Sequence, residues 1–149
     1  MSWLTDLRAH GRDEHVAVVA EEATITYREL DARVARAAGW LSSRGVQPGD
    51  VVALQLPRCL AVLELHLAAL GMGAATLPLN TAYPPRELRY YLSDSHARLA
   101  VVVPEHADAL GSESGSSIVA ATEELRAELD ASPEVRFAES LPDDTLAVL

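Results

Sequence analysis

Three short, predominantly apolar runs, Val51-Val52-Ala53-Leu54-Gln55-Leu56, Ala74-Ala75-Thr76-Leu77-Pro78-Leu79 and Leu99-Ala100-Val101-Val102-Val103, constrain this chain more than any other feature. A strand with one wet face alternates polar and apolar residues; these runs do not, so each must be covered on both faces. Helix-length segments separate them. Strand, helix and strand in repetition point to an α/β fold: a parallel sheet with crossover helices. The first helix is expected over about Arg28–Arg44, where Leu30, Val34, Ala37, Ala38 and Leu41 recur at helical spacing and Gly45 supplies the stop. The second, about Arg58–Gly71, is apolar on nearly every face apart from Glu64 and His66, which predicts packing on both sides. Pro84-Pro85 opens a third, with Leu88, Tyr91 and Leu92 inward, and Pro104 caps the last of the three runs.

Around this core, Val16–Val19 and Ala23–Tyr27 flank the polar pair Glu21-Glu22 and read as a small hairpin over residues 16–27. Residues 28–104 form the α/β repeat. Residues 105–149 read as an acidic, loop-rich connection, with a Gly/Ser loop at 111–117, a short strand at Ile118–Ala120, a short helix at Thr122–Asp130, and an extended stretch from Ala131 to Asp144. The final apolar run Thr145–Leu149 reads as the start of another buried strand. It carries no turn or polar cap, so the chain is expected to be cut within a longer domain.

Composition narrows the function classes. The 149 residues carry 22 acids against 12 bases, a formal charge of −10, and every base is arginine. Absence of lysine removes Schiff-base chemistry and the lysine of a phosphate-binding loop. The negative charge argues against nucleic acid and anionic membrane surfaces. Residues 105–149 hold 11 of the acids, which reads as a solvated face. One cysteine, Cys59, allows no internal disulfide. No signal segment or membrane-length apolar run is visible, so a cytoplasmic protein without a membrane span is expected.

No residue set rises to a catalytic, cofactor-binding or metal site. Gly71-x-Gly73 follows a helix and runs into a strand, the reverse of a dinucleotide fingerprint, and reads as packing glycines. The 111–117 loop lacks lysine and a preceding strand, and glutamate fills the place of a nucleophilic serine in Gly111-Ser112-Glu113-Ser114-Gly115. His10 and His15, with Asp13 and Glu14 between, lie on different sides of any helix, which disfavours a metal site. His66 reads as a hydrogen-bonded core histidine, His96 and His106 as surface residues at element ends, and Cys59 as core at a helix start.

Four segments together nonetheless resemble the adenylate-forming enzymes, the superfamily of acyl-CoA synthetases, luciferases and peptide-synthetase adenylation domains. They are Ile25-Thr26-Tyr27-Arg28-Glu29-Leu30, Arg44-Gly45-Val46-Gln47-Pro48-Gly49-Asp50-Val51-Val52-Ala53, Leu70 to Asn80 closing in Pro78-Leu79-Asn80, and Tyr83 to Ser95. Each alone is weak; four in order over residues 16–104 are specific. The resemblance implies the large N-terminal domain of that fold, truncated before its phosphate-binding loop. The catalytic residues of the family then have no counterparts here. Asn80 and the order Arg86-Glu87 look more like acyl-CoA synthetases of malonate or fatty-acid type, and hence fatty acid metabolism, than like peptide synthetases. The implied parent ligase would use ATP, Mg2+ and coenzyme A on a carboxylic acid, with the remainder of its own chain as this segment's partner. A segment of this kind is expected to be inactive alone and to self-associate. A peptide-synthetase adenylation domain and a stand-alone α/β binding or assembly module are the other two readings.

Overall fold

The structure, a computed structural model, describes residues 14–111, 115–137 and 148–149. Strands β1 (Val16–Val19) and β2 (Thr24–Thr26) pair antiparallel, and β2 feeds without a loop into helix α1 (Tyr27–Ser43). That junction is possible because Thr26 ends the strand and caps the helix at once. Its hydroxyl accepts from the Glu29 N–H at 3.2 Å, and the Glu29 carboxylate accepts from the Thr26 N–H at 2.7 Å. This reciprocal box satisfies two of the donors that a helix start leaves open. The Thr26 backbone and then its hydroxyl hold the Glu29 carboxyl below its ordinary pKa. The expected inner stripe of α1, Leu30, Val34, Ala37, Ala38 and Leu41, is buried.

Strands β3 (Val51–Gln55), β4 (Ala75–Pro78), β5 (Leu99–Val102) and β6 (Ser117–Ala120) form one parallel sheet in the order β4-β3-β5-β6. The sheet continues past β4: Val148 bridges to Thr76 in parallel, and the Leu149 N–H donates to the Thr76 carbonyl at 2.9 Å. Helices α2 (Leu60–Gly71), α3 (Pro85–Ser95), α4 (Pro104–Leu110) and α5 (Glu123–Ala131) complete the described elements. Alternation along each strand divides the core in two. Val52, Leu54, Leu99 and Val101 face α1, α2 and α5, whereas Ala53, Ala100 and Val102 face α3 and α4. The change of face follows from topology. The chain moves from β3 outward to β4 through α2, then reverses across β3 to β5, and a crossover of constant hand must then lie on the opposite face.

Two expectations need correction. Among the described residues helix α2 is fully covered on one side only: Leu60, Glu64, Leu65, Ala68 and Ala69 are buried, but Val62, His66 and Leu70 are half-buried. It lies against α1 and the sheet, and among the described residues nothing covers its outer side fully. Pro104 does not merely cap β5. It is the first residue of α4, where its missing N–H costs nothing, and fully buried Leu110 anchors that seven-residue helix.

Residues 132–137 cross the helical layer as a strap. The Val135 N–H donates to the Ala35 carbonyl at 2.9 Å. A Cβ placed on Gly39 would lie 1.9 Å from the Pro133 carbonyl oxygen, and one on Gly71 would lie 2.7 Å from the Phe137 ring. Both glycines are close-approach positions, which agrees with the packing role expected of Gly71. Because the atom facing Gly39 is backbone, it cannot swing aside. The substitution Gly39→Ala is therefore expected to cost about 1–3 kcal/mol despite its better helix propensity, measured by urea denaturation. A neutral or stabilised variant would show that the strap is not held against α1.

Candidate functional site

In an open parallel sheet the place for chemistry is the crevice outside the carboxyl ends of the strands, where the strand order reverses. Here that point lies between β3 and β5, since β3 leads outward to β4 while β5 leads the other way to β6. Gln55, the last residue of β3, falls by alternation on the α3/α4 face and is fully buried. Its Nε2 lies 3.2 Å from the Asn80 carbonyl oxygen, 3.3 Å from that of Thr81, 3.5 Å from that of Tyr83, and 3.0 Å from His106 Nδ1. The amide thus ties the loop after β4 to the first turn of α4. Asn80 stiffens the same loop, its Oδ1 accepting from the Ala82 N–H at 2.9 Å. Tyr83 closes it by stacking on Tyr91 with ring centroids 5.4 Å apart, and its nearness raises the Tyr91 phenol above its ordinary pKa. His106 is therefore half-buried and bonded, not a surface residue as expected, because α4 turns it back over the end of β3.

On the other face a cavity of about 330 Å³ opens between the exits of β3 and β6. Leu56, Pro57, Cys59, Thr122, Arg33 and Arg126 are among its walls. Behind it Glu64, fully buried, accepts from Arg33 at 3.1 Å with one carboxylate oxygen and from Arg126 at 2.6 Å with the other. Arg126 also donates to Asp130 at 2.7 Å. Burial alone would lower the Arg126 pKa, but the hydrogen bonds to Glu64 and Asp130 outweigh it and raise the guanidinium further. Glu22 accepts from the Leu60 N–H at 3.3 Å at the start of α2. The acidic residue Glu128 takes hydrogen bonds from the Trp40 indole at 2.7 Å and from Arg44 at 2.6 Å, which depress its pKa in that order. These charges are committed to joining α1, α2 and α5.

Cys59, a wall of that cavity, is a half-buried free thiol at the cap of α2 and not the core residue expected, because it precedes the first buried turn of the helix. The remaining candidates lie away from both places. His66 Nδ1 meets the buried Thr76 hydroxyl at 2.8 Å, as a core histidine should, and burial lowers its pKa. His96 is exposed at the left-handed end of α3, with φ +55°. His15 and Glu14 are exposed, Glu14 pairing with Arg28, while His10, Asp13 and residues 112–114 lie outside the described residues. Sequence reasoning passed over Gln55 and treated Glu64 only as an interruption. The signal was present for both: a polar residue at the end of an apolar strand run, and a carboxylate in mid-helix among Leu and Ala.

The described residues do not fit a site for ATP phosphates and magnesium. No described turn from strand to helix is a glycine-rich cradle, no lysine exists to reach a phosphate, and no described group of three His, Cys, Asp or Glu gathers as metal ligands.

A family model described as AMP-binding enzyme matches residues 6–149. The chain belongs to the AMP-binding enzyme family. Among curated members, tyrocidine synthase 2 of Brevibacillus parabrevis is 41% identical over 88 residues, which is 59% of this chain and 2% of that protein. A probable CoA ligase, CCL9 of Humulus lupulus, is 36% identical over 97 residues, 65% of this chain and 18% of that protein. In three dimensions, apo MatB from Rhodopseudomonas palustris superposes with a TM-score of 0.83 at 30% identity, covering 91% of this chain and 29% of that one. The fold is that of the N-terminal domain of adenylate-forming enzymes. The chain spans less than a third of each of these three relatives.

Two outcomes follow from the buried charges. Removing both arginines (Arg33→Met with Arg126→Met) strands the Glu64 carboxylate in the core. Replacing Glu64 by Leu leaves arginines that still reach water, with side chains 26% and 32% exposed. The double arginine variant should therefore lose about 3–5 kcal/mol and Glu64→Leu distinctly less, read from denaturant midpoints; the reverse order would overturn this assignment. For His66, a folded-state pKa below 6.5 means the unfolded chain binds the proton first. Its contribution is intact above pH 6.5 and is lost as pH falls below it. The stability advantage of wild type over His66→Gln should shrink between pH 7.5 and 5.5, and a constant difference would contradict the sign.

Proposed function

We propose that this chain is a scaffold segment of an ATP-dependent carboxylate–CoA ligase. In the activity proposed, a substrate carboxylate attacks the α-phosphorus of ATP, forming an acyl-adenylate and releasing pyrophosphate. The thiol of coenzyme A then attacks the acyl carbon, giving the thioester and releasing AMP. The observation that carries the reading is the likeness to MatB over nine-tenths of the chain, since solved forms of that protein hold ATP. The CoA-ligase relative, Asn80 and the order Arg86-Glu87 support the thiol acceptor. The segment's own part is positional. Its parallel sheet presents one carboxyl-end edge, and the residues holding phosphates and magnesium belong to other parts of such an enzyme.

A peptide-synthetase adenylation domain is the second reading, favoured by the 41% identity to tyrocidine synthase 2. Both readings share the first half-reaction and part at the acceptor. The protein from its native source should catalyse carboxylate-dependent exchange of pyrophosphate into ATP, then release AMP when free coenzyme A is added. Exchange without transfer to coenzyme A, but with acylation of a phosphopantetheinyl carrier protein, would move the assignment to the second reading. Absence of exchange with every carboxylate class tested would reject both.

A further inference from the structure

The outer side of α2 has the wrong surface for water. Val62, Leu63, His66, Leu67 and Leu70 are all half-buried, none is charged, and at helical spacing they fill one arc of about 140°. A helix facing solvent carries its charges on such an arc. The one acid of α2, Glu64, is instead fully buried on the inner side. His66 is the only polar side chain of the five, and its Nδ1 is taken by the Thr76 hydroxyl. At the start of the helix the arc opens into a groove of about 510 Å³, whose walls include Leu63, Leu60, Val18 and Val19. The sheet beneath also runs on past α2. Val148 bridges in parallel to Thr76 and so shares its face, the one on which α2 lies, yet it is 50% exposed. A parallel strand needs cover on both faces. On this face the cover must lie in the helical layer about 8–10 Å from α2, against the uncharged arc. The open arc and the half-covered strand therefore call for the same element.

We propose that the outer arc of α2 is an intramolecular docking surface: an apolar helix from the part of the ligase that follows Leu149 packs on Val62, Leu63, His66, Leu67 and Leu70 and covers the strand at Val148. The inference rests on the ligase reading, in which this chain is a segment, and adds to it the surface by which the segment joins the rest. Two observations select this occupant. The chain covers 29% of MatB, so most of such a protein lies outside it. A second copy would bring one formal charge of −10 against another, and the repulsion disfavours it. A polar partner is disfavoured as well, since it would find only His66 to bond.

The test uses the full-length native enzyme, checked for pyrophosphate exchange. Hydroxyl-radical footprinting of the wild-type protein compares the folded state with the same protein in urea. Leu63, His66 and Leu70 should lose labelling on folding as completely as fully buried Leu65. Labelling midway between Leu65 and the unfolded chain, as an uncovered half-buried arc gives, overturns the proposal. The occupant is then identified by growing the enzyme with photo-leucine and irradiating it in dilute solution. Photo-leucine at positions 63, 67 and 70 should cross-link to peptides beyond residue 149 of the same chain. Cross-links between two copies, or to residues 1–13 or 138–147 in place of that later region, overturn the proposal. Should photo-leucine prevent folding, the wild-type footprint still decides whether the arc is covered. Native protein lacking exchange would remove the ligase reading and this inference with it. An active enzyme with an open arc would remove the inference alone.

Discussion

The pairing of β3 with β5, two parallel strands with no side facing water, is the constraint on which the rest of this chain depends. Val52, Ala53, Ala100, Val101 and Val102 are at most marginally exposed, so both faces need a covering layer. Two layers in turn need crossovers that pass to opposite faces. The outward step from β3 to β4 and the return to β5 supply them. The same reversal creates the crevice at the carboxyl ends. Fold and candidate site are therefore one consequence of burying two strands completely.

Complete burial also explains the few polar residues inside. Gln55, Glu64 and Thr76 are each fully buried, and each is bonded to a different element: a loop and α4, helices α1 and α5, and His66 of α2. Apolar contacts among Ala, Val and Leu are non-directional and would tolerate sliding of one helix on another. The directed bonds choose one arrangement. Glu64 is the strongest instance, because only one placement of α5 brings Arg126 to the second oxygen of a carboxylate whose first is held by Arg33. Close approach gives the strap a similar definition, since Gly39 and Gly71 admit Pro133 and Phe137 where any side chain would repel them.

Much of this was legible beforehand. Predominantly apolar runs gave away the doubly covered strands, the Leu30–Leu41 stripe gave α1 its inner face, and Pro85 marked the start of α3 at its first residue. Three features were not legible, for separable reasons. The helix α4 has seven residues and a single fully buried anchor, Leu110, too little for a periodic signal. The outer side of α2 is apolar in sequence yet half-open among the described residues, because pattern reports a preference for cover and not the presence of a cover. Gln55 and His106 lie 51 residues apart, and nothing local in either segment says that they meet; topology alone brings them together.

The site is divided in a way that bears on how such a segment could serve an enzyme. On the α1/α2/α5 face the charged groups at the cavity are paired with one another, Arg33 and Arg126 with Glu64, and Arg126 with Asp130. A ligand there would have to break an existing bond for each one it made, so this face resists binding by its own electrostatics. On the α3/α4 face the buried Gln55 amide is satisfied by loop carbonyls, and the loop itself, Asn80 to Ala82, is exposed. Binding on that side replaces water and not an ion pair. The two neighbourhoods at the carboxyl edge thus differ in how their polar groups are held, by ion pairs on one face and by backbone carbonyls on the other.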